Sequence, residues 1–294
     1  MDFLDYLNEK TLLVNAKLEE FFPLSGEGIP ILRESMRYSL TAGGKRLRPV
    51  LCILGYELAG GTDVEVIMPQ ACALEMIHTF TLIHDDLPAM DNDDYRRGLP
   101  TNHKVYGEAM AILAGDALFI EAVRLFLRGR LPEPLKLRML NELTDSIGVD
   151  GVIGGQVLDI RAGGLRHTAK LAENIHLRKT ARFVEASLVI GVMGAGASEY
   201  FINEFRRVGR NLGLLFQIVD DILDETGEEL ELGKKSRKDR ERGKCTFPAT
   251  IGLKESRIKA EKLAERIKYD ARELLNEKSA IIEGLAEYFL NRRK

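Results

Sequence analysis

The chain has little of what builds soft-metal and nucleophile sites. Among 294 residues there are three cysteines and five histidines. Cys52, Cys72 and Cys245 are odd in number, lie far apart and form no CxxC pair, which argues against a zinc site or a disulfide framework. Cys52 and Cys72 sit in apolar runs, as buried thiols do, and the pattern points to a reducing, cytoplasmic setting. His84-Asp85 resembles the start of a metal-dependent phosphohydrolase site, but the remaining histidines stand at no spacing that would complete one. Charge of one sign is not in excess. The net charge is −3, so nothing pulls the chain toward nucleic acid or an acidic membrane. Long apolar runs are also missing. The longest stretch free of Asp, Glu, Lys and Arg, from Ala186 to Ser198, has 13 residues; that suits a buried helix and is too short for a bilayer. The first ten residues, MDFLDYLNEK, do not read as a signal peptide. No strand alternation, NG or DG hairpin signal, long linker or short-period repeat stands out.

What is present is helical periodicity and aspartate. Leu12, Leu13, Ala16 and Phe21 suggest one apolar stripe, and a second runs from Leu253 to Leu290. Two acidic clusters stand out: Asp85-Asp86-Leu87-Pro88-Ala89-Met90-Asp91 and Asp220-Asp221-Ile222-Leu223-Asp224, each behind an apolar stretch. Adjacent carboxylates repel and cost free energy in apolar surroundings unless a cation offsets them. One such cluster could be a solvated helix end. Two, each following an apolar run, point to bound metal. Hard oxygen donors without His or Cys favour Mg²⁺, which commonly completes its shell with phosphate.

Spacing refines this picture. Asp220 and Asp224 are four apart and share a helix face, with Asp221 offset. Between Asp85 and Asp91, Pro88 cannot donate a helical hydrogen bond, so the helix is expected to end there and let Asp91 curl back. Asp91-Asn92-Asp93-Asp94 fails as a calcium loop because Arg96 stands where the loop needs Gly. The clusters are 135 positions apart (220 − 85). If they meet, a single domain spanning residues 1–294 must bring them together, and a large helical bundle with its site in the core does so. Anionic substrates also call for cations. Gly43-Gly44-Lys45-Arg46-Leu47-Arg48-Pro49 is a glycine-opened basic turn, Arg96-Arg97 follow the first cluster, and Lys179-Thr180, Lys234 and Lys244 are further candidates.

These segments together resemble the trans-isoprenyl diphosphate synthases, above all the bacterial farnesyl diphosphate synthases. The resemblance is carried by GGKRLRP (43–49), EMIHTFTLIHDDLPAMDNDDYRRGLPTNHKVYGEA (75–109), ILAGDAL (112–118), GGQVLDI (154–160), RKTA (178–181), FQIVDDILD (216–224) and LGK…KD…GKCTFP (232–248). It implies an all-α isoprenoid synthase bundle with a central cavity, and a homodimer. It implies three Mg²⁺ ions, two on Asp85 and Asp91 with Asp86 close by, and a third on Asp220 supported by Asp224. Lys45, Arg48, His78 and Arg97 match an isopentenyl diphosphate pocket; Arg96, Lys179, Thr180, Gln217, Lys234 and Lys244 match contacts to the allylic diphosphate. Lys179, Thr180 and Gln217 are then expected beside the reacting carbons. The reaction expected is condensation of isopentenyl diphosphate with dimethylallyl or geranyl diphosphate. Phe80, five positions before Asp85 and about 7.5 Å along the axis, is expected to floor the cavity, with small Thr81 beside it, and to stop growth at farnesyl diphosphate. The alternatives are a C20 product, a class I terpene cyclase and a non-catalytic prenyl synthase subunit. A cyclase needs no second basic pocket, and such a subunit should have lost an aspartate motif. The lysine loop departs from the family pattern, since Arg237 stands where Gly is common.

Overall fold

A computed structural model describes residues 2–25, 28–226 and 243–292. Lys234 and Arg237 lie outside them. The helical spacing of apolar positions is realised as fourteen α-helices among the described residues. Helix α1 (Phe3–Phe21) starts at Asp2, whose carboxylate accepts from the Asp5 amide at 2.9 Å. Its buried face is Phe3, Tyr6, Leu7, Val14 and Leu18, while Leu12 is 72% exposed. The stripe expected from Leu12 is therefore the wrong one, because steps of three, four and seven from Phe3 run along the opposite side.

The centre is built by α3 (Leu47–Leu58), α4 (Met68–Asp85), α10 (Arg182–Gly194) and α11 (Glu199–Thr226). Every residue of α10 from Phe183 to Gly194 is buried, so the Ala186–Ser198 run covers most of a core helix, as its lack of charge suggests. Helices α3 and α10 approach backbone to backbone. A Cβ at Gly191 would fall 1.9 Å from the Cys52 carbonyl oxygen, and one at Gly55 would fall 2.2 Å from that of Leu188. Around this centre pack α1, α2 (Pro30–Leu40), α5 (Asn102–Tyr106), α6 (Glu108–Phe126), α7 (Glu133–Ile147), α8 (Val152–Ala162) and α9 (Ala169–His176). The last three are α12 (Phe247–Ile251), α13 (Leu253–Leu275) and α14 (Ala280–Asn291). The stripe from Leu253 to Leu290 is split by a 3₁₀ turn at Asn276–Ser279, where Asn276 takes φ 51°. One hydrophobic core includes side chains from Phe3 to Phe289. No described helix is long and apolar enough to cross a membrane.

One strand pair occurs, against expectation: β1 (Tyr95–Arg96) pairs antiparallel with β2 (Leu99–Pro100). Its central residues, Arg97 and Gly98, take φ 54° and 79°. Positive φ at both positions is what a tight hairpin turn requires. Arg in place of Asn or Asp at the first position hides the signal in the sequence.

Replacing Gly191 by Ala should destabilise the fold by about 2 kcal/mol, because a methyl group cannot be placed without moving two helices apart. Urea unfolding of the variant, compared with the parent chain, checks this.

Candidate active site

Helix α4 ends at Asp85, and the chain then folds back as Pro88 predicts. The Asp91 amide donates to the Asp85 carbonyl at 2.8 Å, and Asn92 takes φ 50°. Asp85 and Asp91 are thereby held close together at the end of α4. Asp86 turns aside and is 3% exposed. Arg96 Nε donates to both its oxygens at 2.8 Å, and Arg96 Nη2 reaches Oδ1 at 2.6 Å. The β-hairpin thus presents Arg96 to the first cluster.

The second cluster lies near the end of α11 and its three carboxylates differ in exposure. Asp220 is half exposed, while Asp221 and Asp224 are buried. Asp221 accepts from the Phe247 amide at 2.9 Å and from Gln217 Nε2 at 3.2 Å, and stands 2.7 Å from His176 Nε2. It works as a clamp for the segment that follows the lysine loop. Three positions before Phe247, Lys244 Nζ lies 3.3 Å from Asp91 and 3.6 Å from Asp159. The segment 244–247 therefore ties the two aspartate clusters together.

Lys179 and Thr180 sit in a π-helical turn, Leu177–Ala181, between α9 and α10. Such widened turns are common at functional sites. Helix α8 can press against it because residue 155 is Gly; a Cβ there would stand 2.3 Å from the Lys179 amide nitrogen. Lys179 Nζ donates to Asp159 at 2.6 Å, and Thr180 Oγ1 donates to Gln217 Oε1 at 2.8 Å. Burial works against the charge on Asp159, yet Lys179 and Lys244 hold its carboxyl below the usual range. The Thr180 proton is thus committed to the Gln217 carbonyl, leaving lone pairs on both the Thr180 and the Gln217 oxygens.

On the other side, Lys45 Nζ lies 5.5 Å from the Tyr288 ring centre and the Arg48 guanidinium 4.9 Å from that of Phe183. Burial draws the Arg48 pKa down to about 10. Burial, together with Arg48 and Arg97, keeps His78 well below its ordinary value, so its imidazole is neutral at pH 7. Phe80 is half-buried and meets Phe119 of α6 edge-on at 5.4 Å and His84 at 5.7 Å. Thr81 Oγ1 donates to the His78 carbonyl at 2.8 Å.

Three participants were missed by reading the sequence. Asp159 holds two lysines, although its GGQVLDI segment was noted. Glu75 is buried against Arg46 at 2.8 Å. Arg292 donates to Asp220 at 3.1 Å and to the Phe216 carbonyl at 2.8 Å, with its guanidinium 3.9 Å from the Phe216 ring centre. Nothing in their local spacing marks them, since each matters through a partner at least 20 positions away.

Among the described residues, no three His, Cys, Asp or Glu side chains converge into a metal cage. The all-carboxylate donor set still fits Mg²⁺, which binds through one or two carboxylates and fills its shell with water and phosphate oxygens. Sparse carboxylates paired with Arg and Lys in an all-α fold have the chemistry that a metal-assisted diphosphate site would need.

The comparisons agree. Residues 29–285 match the Polyprenyl synthetase family, and the chain belongs to it. It is 47% identical over 295 residues to a chloroplastic geranylgeranyl pyrophosphate synthase from Catharanthus roseus, covering 99% of this chain and 82% of that one. Its structure is similar to an FPP/GFPP synthase from Zymomonas mobilis, with a TM-score of 0.84, 28% identity and 97% of each chain covered. It is also similar to a geranyltransferase from Helicobacter pylori complexed with magnesium and isoprenyl diphosphate, with a TM-score of 0.83, 29% identity and 96% of each chain covered.

Burial pushes the Asp85 carboxyl up to about 6. Between the ordinary Asp value and about 6 the folded chain holds a proton that the unfolded chain has lost, so stability falls as pH rises through that window. In the absence of metal, Asp85→Asn should therefore be more stable than the parent by about 3 kcal/mol at pH 8 and nearly equal to it at pH 4. Urea unfolding at both pH values in a chelating buffer checks this.

Proposed function

We propose that this prenyltransferase condenses isopentenyl diphosphate with dimethylallyl and then geranyl diphosphate and releases farnesyl diphosphate. The observation that carries the reading is the 244–247 segment, which reaches Asp91 through Lys244 and Asp221 through the Phe247 amide. Two acidic motifs tied together by one segment suit a diphosphate held between them. Asp85 and Asp91 would hold two Mg²⁺ ions and Asp220, with Asp224, a third; Asp86 acts through Arg96. Mg²⁺, when bound, neutralises the diphosphate as it leaves. Arg96, Lys179 and Lys244 add charge-assisted bonds to the same leaving group, and Lys234 is assigned with them from the motif alone.

As the allylic C–O bond breaks, a carbocation-like fragment is left in an apolar cavity that keeps water away. The Thr180 oxygen, oriented by its bond to Gln217, faces positive carbon with a lone pair. Lys45, Arg48, His78 and Arg97 hold isopentenyl diphosphate on the opposite side. A neutral His78 can donate a hydrogen bond without adding charge. The isopentenyl double bond attacks C1 of the allylic fragment, and the proton lost in forming the new double bond passes to the released diphosphate.

The C15 stop rests on Phe80, whose ring is braced edge-on by Phe119 and His84. A C20 stop is the second reading, favoured by the geranylgeranyl pyrophosphate synthase from Catharanthus roseus. A single domain over residues 1–294 is supported by the one large core. Three free, buried cysteines suit a reducing compartment such as the cytoplasm. A homodimer is supported by Ile112, Leu113 and Ile120 on α6, apolar side chains that are 45%, 54% and 56% exposed.

Two experiments test this. Protein given Mg²⁺, labelled isopentenyl diphosphate and geranyl diphosphate should yield mainly C15 alcohol after dephosphorylation, and Phe80→Ala should shift the product to C20 or longer. Mainly C20 from the parent chain would move the floor away from Phe80; diphosphate release without isopentenyl diphosphate would indicate a cyclase. In light scattering, Ile120→Lys should convert a dimer to a monomer, and a parent that is already monomeric would reject the dimer.

A further inference from the structure

Glu75 lies on α4, one helical turn before His78, and its side chain is 1% exposed. A carboxylate buried so deeply needs charged partners. It has two. Arg46 Nη1 stands 2.8 Å from Glu75 Oε1, and Arg97 Nη2 stands 3.5 Å from the same oxygen. The two arginines come from different elements. Arg46 ends the glycine-opened loop and precedes α3, while Arg97 forms the tip of the β-hairpin. Each is tied further: Arg46 donates to Asn15 Oδ1 at 2.9 Å and to the Leu40 carbonyl at 2.7 Å, and Arg97 donates to the Gly43 carbonyl.

Backbone strain points to the same carboxylate. Arg46 and Arg97 take φ 49° and 54°. The other described non-glycine residues with positive φ are Asn92 and Asn276, a residue type that tolerates the left-handed region. Arginine has no such tolerance, and strain of this kind persists where surrounding contacts hold it. Gly44 keeps the path open, because a Cβ there would stand 2.6 Å from Arg97 Cζ.

We propose that Glu75 is a positioning residue for the isopentenyl diphosphate pocket, holding the 43–46 loop and the hairpin tip so that Lys45, Arg48 and Arg97 converge on one diphosphate. This rests on the assignment of those residues to that pocket. One carboxylate set among Arg46, Arg48 and Arg97 leaves a surplus of positive charge, so the pocket stays attractive to an anion while the arginines are held apart. Glu75 acts through its arginines and does not touch the substrate.

The test compares Glu75→Gln, which removes the charge, with Glu75→Asp, which keeps it and shortens its reach. KM is measured for each substrate with the other saturating. Both variants should raise KM for isopentenyl diphosphate about tenfold or more while KM for geranyl diphosphate and kcat stay within about threefold. An unchanged or lowered KM for isopentenyl diphosphate overturns the proposal, as do equal rises for both substrates. Loss of folding in both variants, seen by circular dichroism, assigns Glu75 to stability alone and also overturns it. Arg48→Gln is the control. If it leaves KM for isopentenyl diphosphate unchanged, the pocket assignment itself fails; if it raises that KM while the Glu75 variants do not, only the positioning role fails.

Discussion

The site depends on buried charge being answered by opposite charge in a largely apolar helical frame. A buried carboxylate is costly unless a cation or hydrogen-bond donors offset it. The chain answers with its own cations. Arg96 takes Asp86, Lys244 takes Asp91, Lys179 takes Asp159 and Arg292 takes Asp220. Asp85 has no such ion pair among the described residues, and burial raises its pKa. This buried carboxylate without an ion pair among the described residues is thus well placed to gain from a divalent ion.

The same economy explains the architecture around the site. The hairpin after α4 brings two arginines to opposite tasks: Arg96 faces the first acidic cluster, and Arg97 turns to the buried Glu75. The π-turn before α10 aims Lys179 at Asp159 and Thr180 at Gln217. Asp221, though it sits inside a metal-type motif, acts as a clamp, fixing the segment that carries Lys244. Charged side chains therefore both neutralise and position.

Much of the site was legible in the sequence because its motifs are local. Asp85 with Asp91 and Asp220 with Asp224 are read from spacing, and Pro88 alone predicts the fold-back. The hairpin was not legible, since Arg97 occupies a turn position that usually announces itself as Asn or Asp. The face of α1 was misjudged because Leu12 is apolar yet points to solvent, as many single surface leucines do.

By itself the sequence determined that helices would form, and it marked two carboxylate motifs whose chemistry suits a hard cation and basic turns whose chemistry suits an anion. These follow from periodicity and from chemistry within a few residues. Only the tertiary structure decided that Asp159 pairs with Lys179, Glu75 with Arg46 and Arg292 with Asp220, that Asp86 and Asp221 face their own chain's cation and amides, and that Phe80 is braced by Phe119. The physical reason is range: a charge or a ring acts on whatever lies within a few ångströms, and packing alone brings residues 20 to 72 positions apart into that distance.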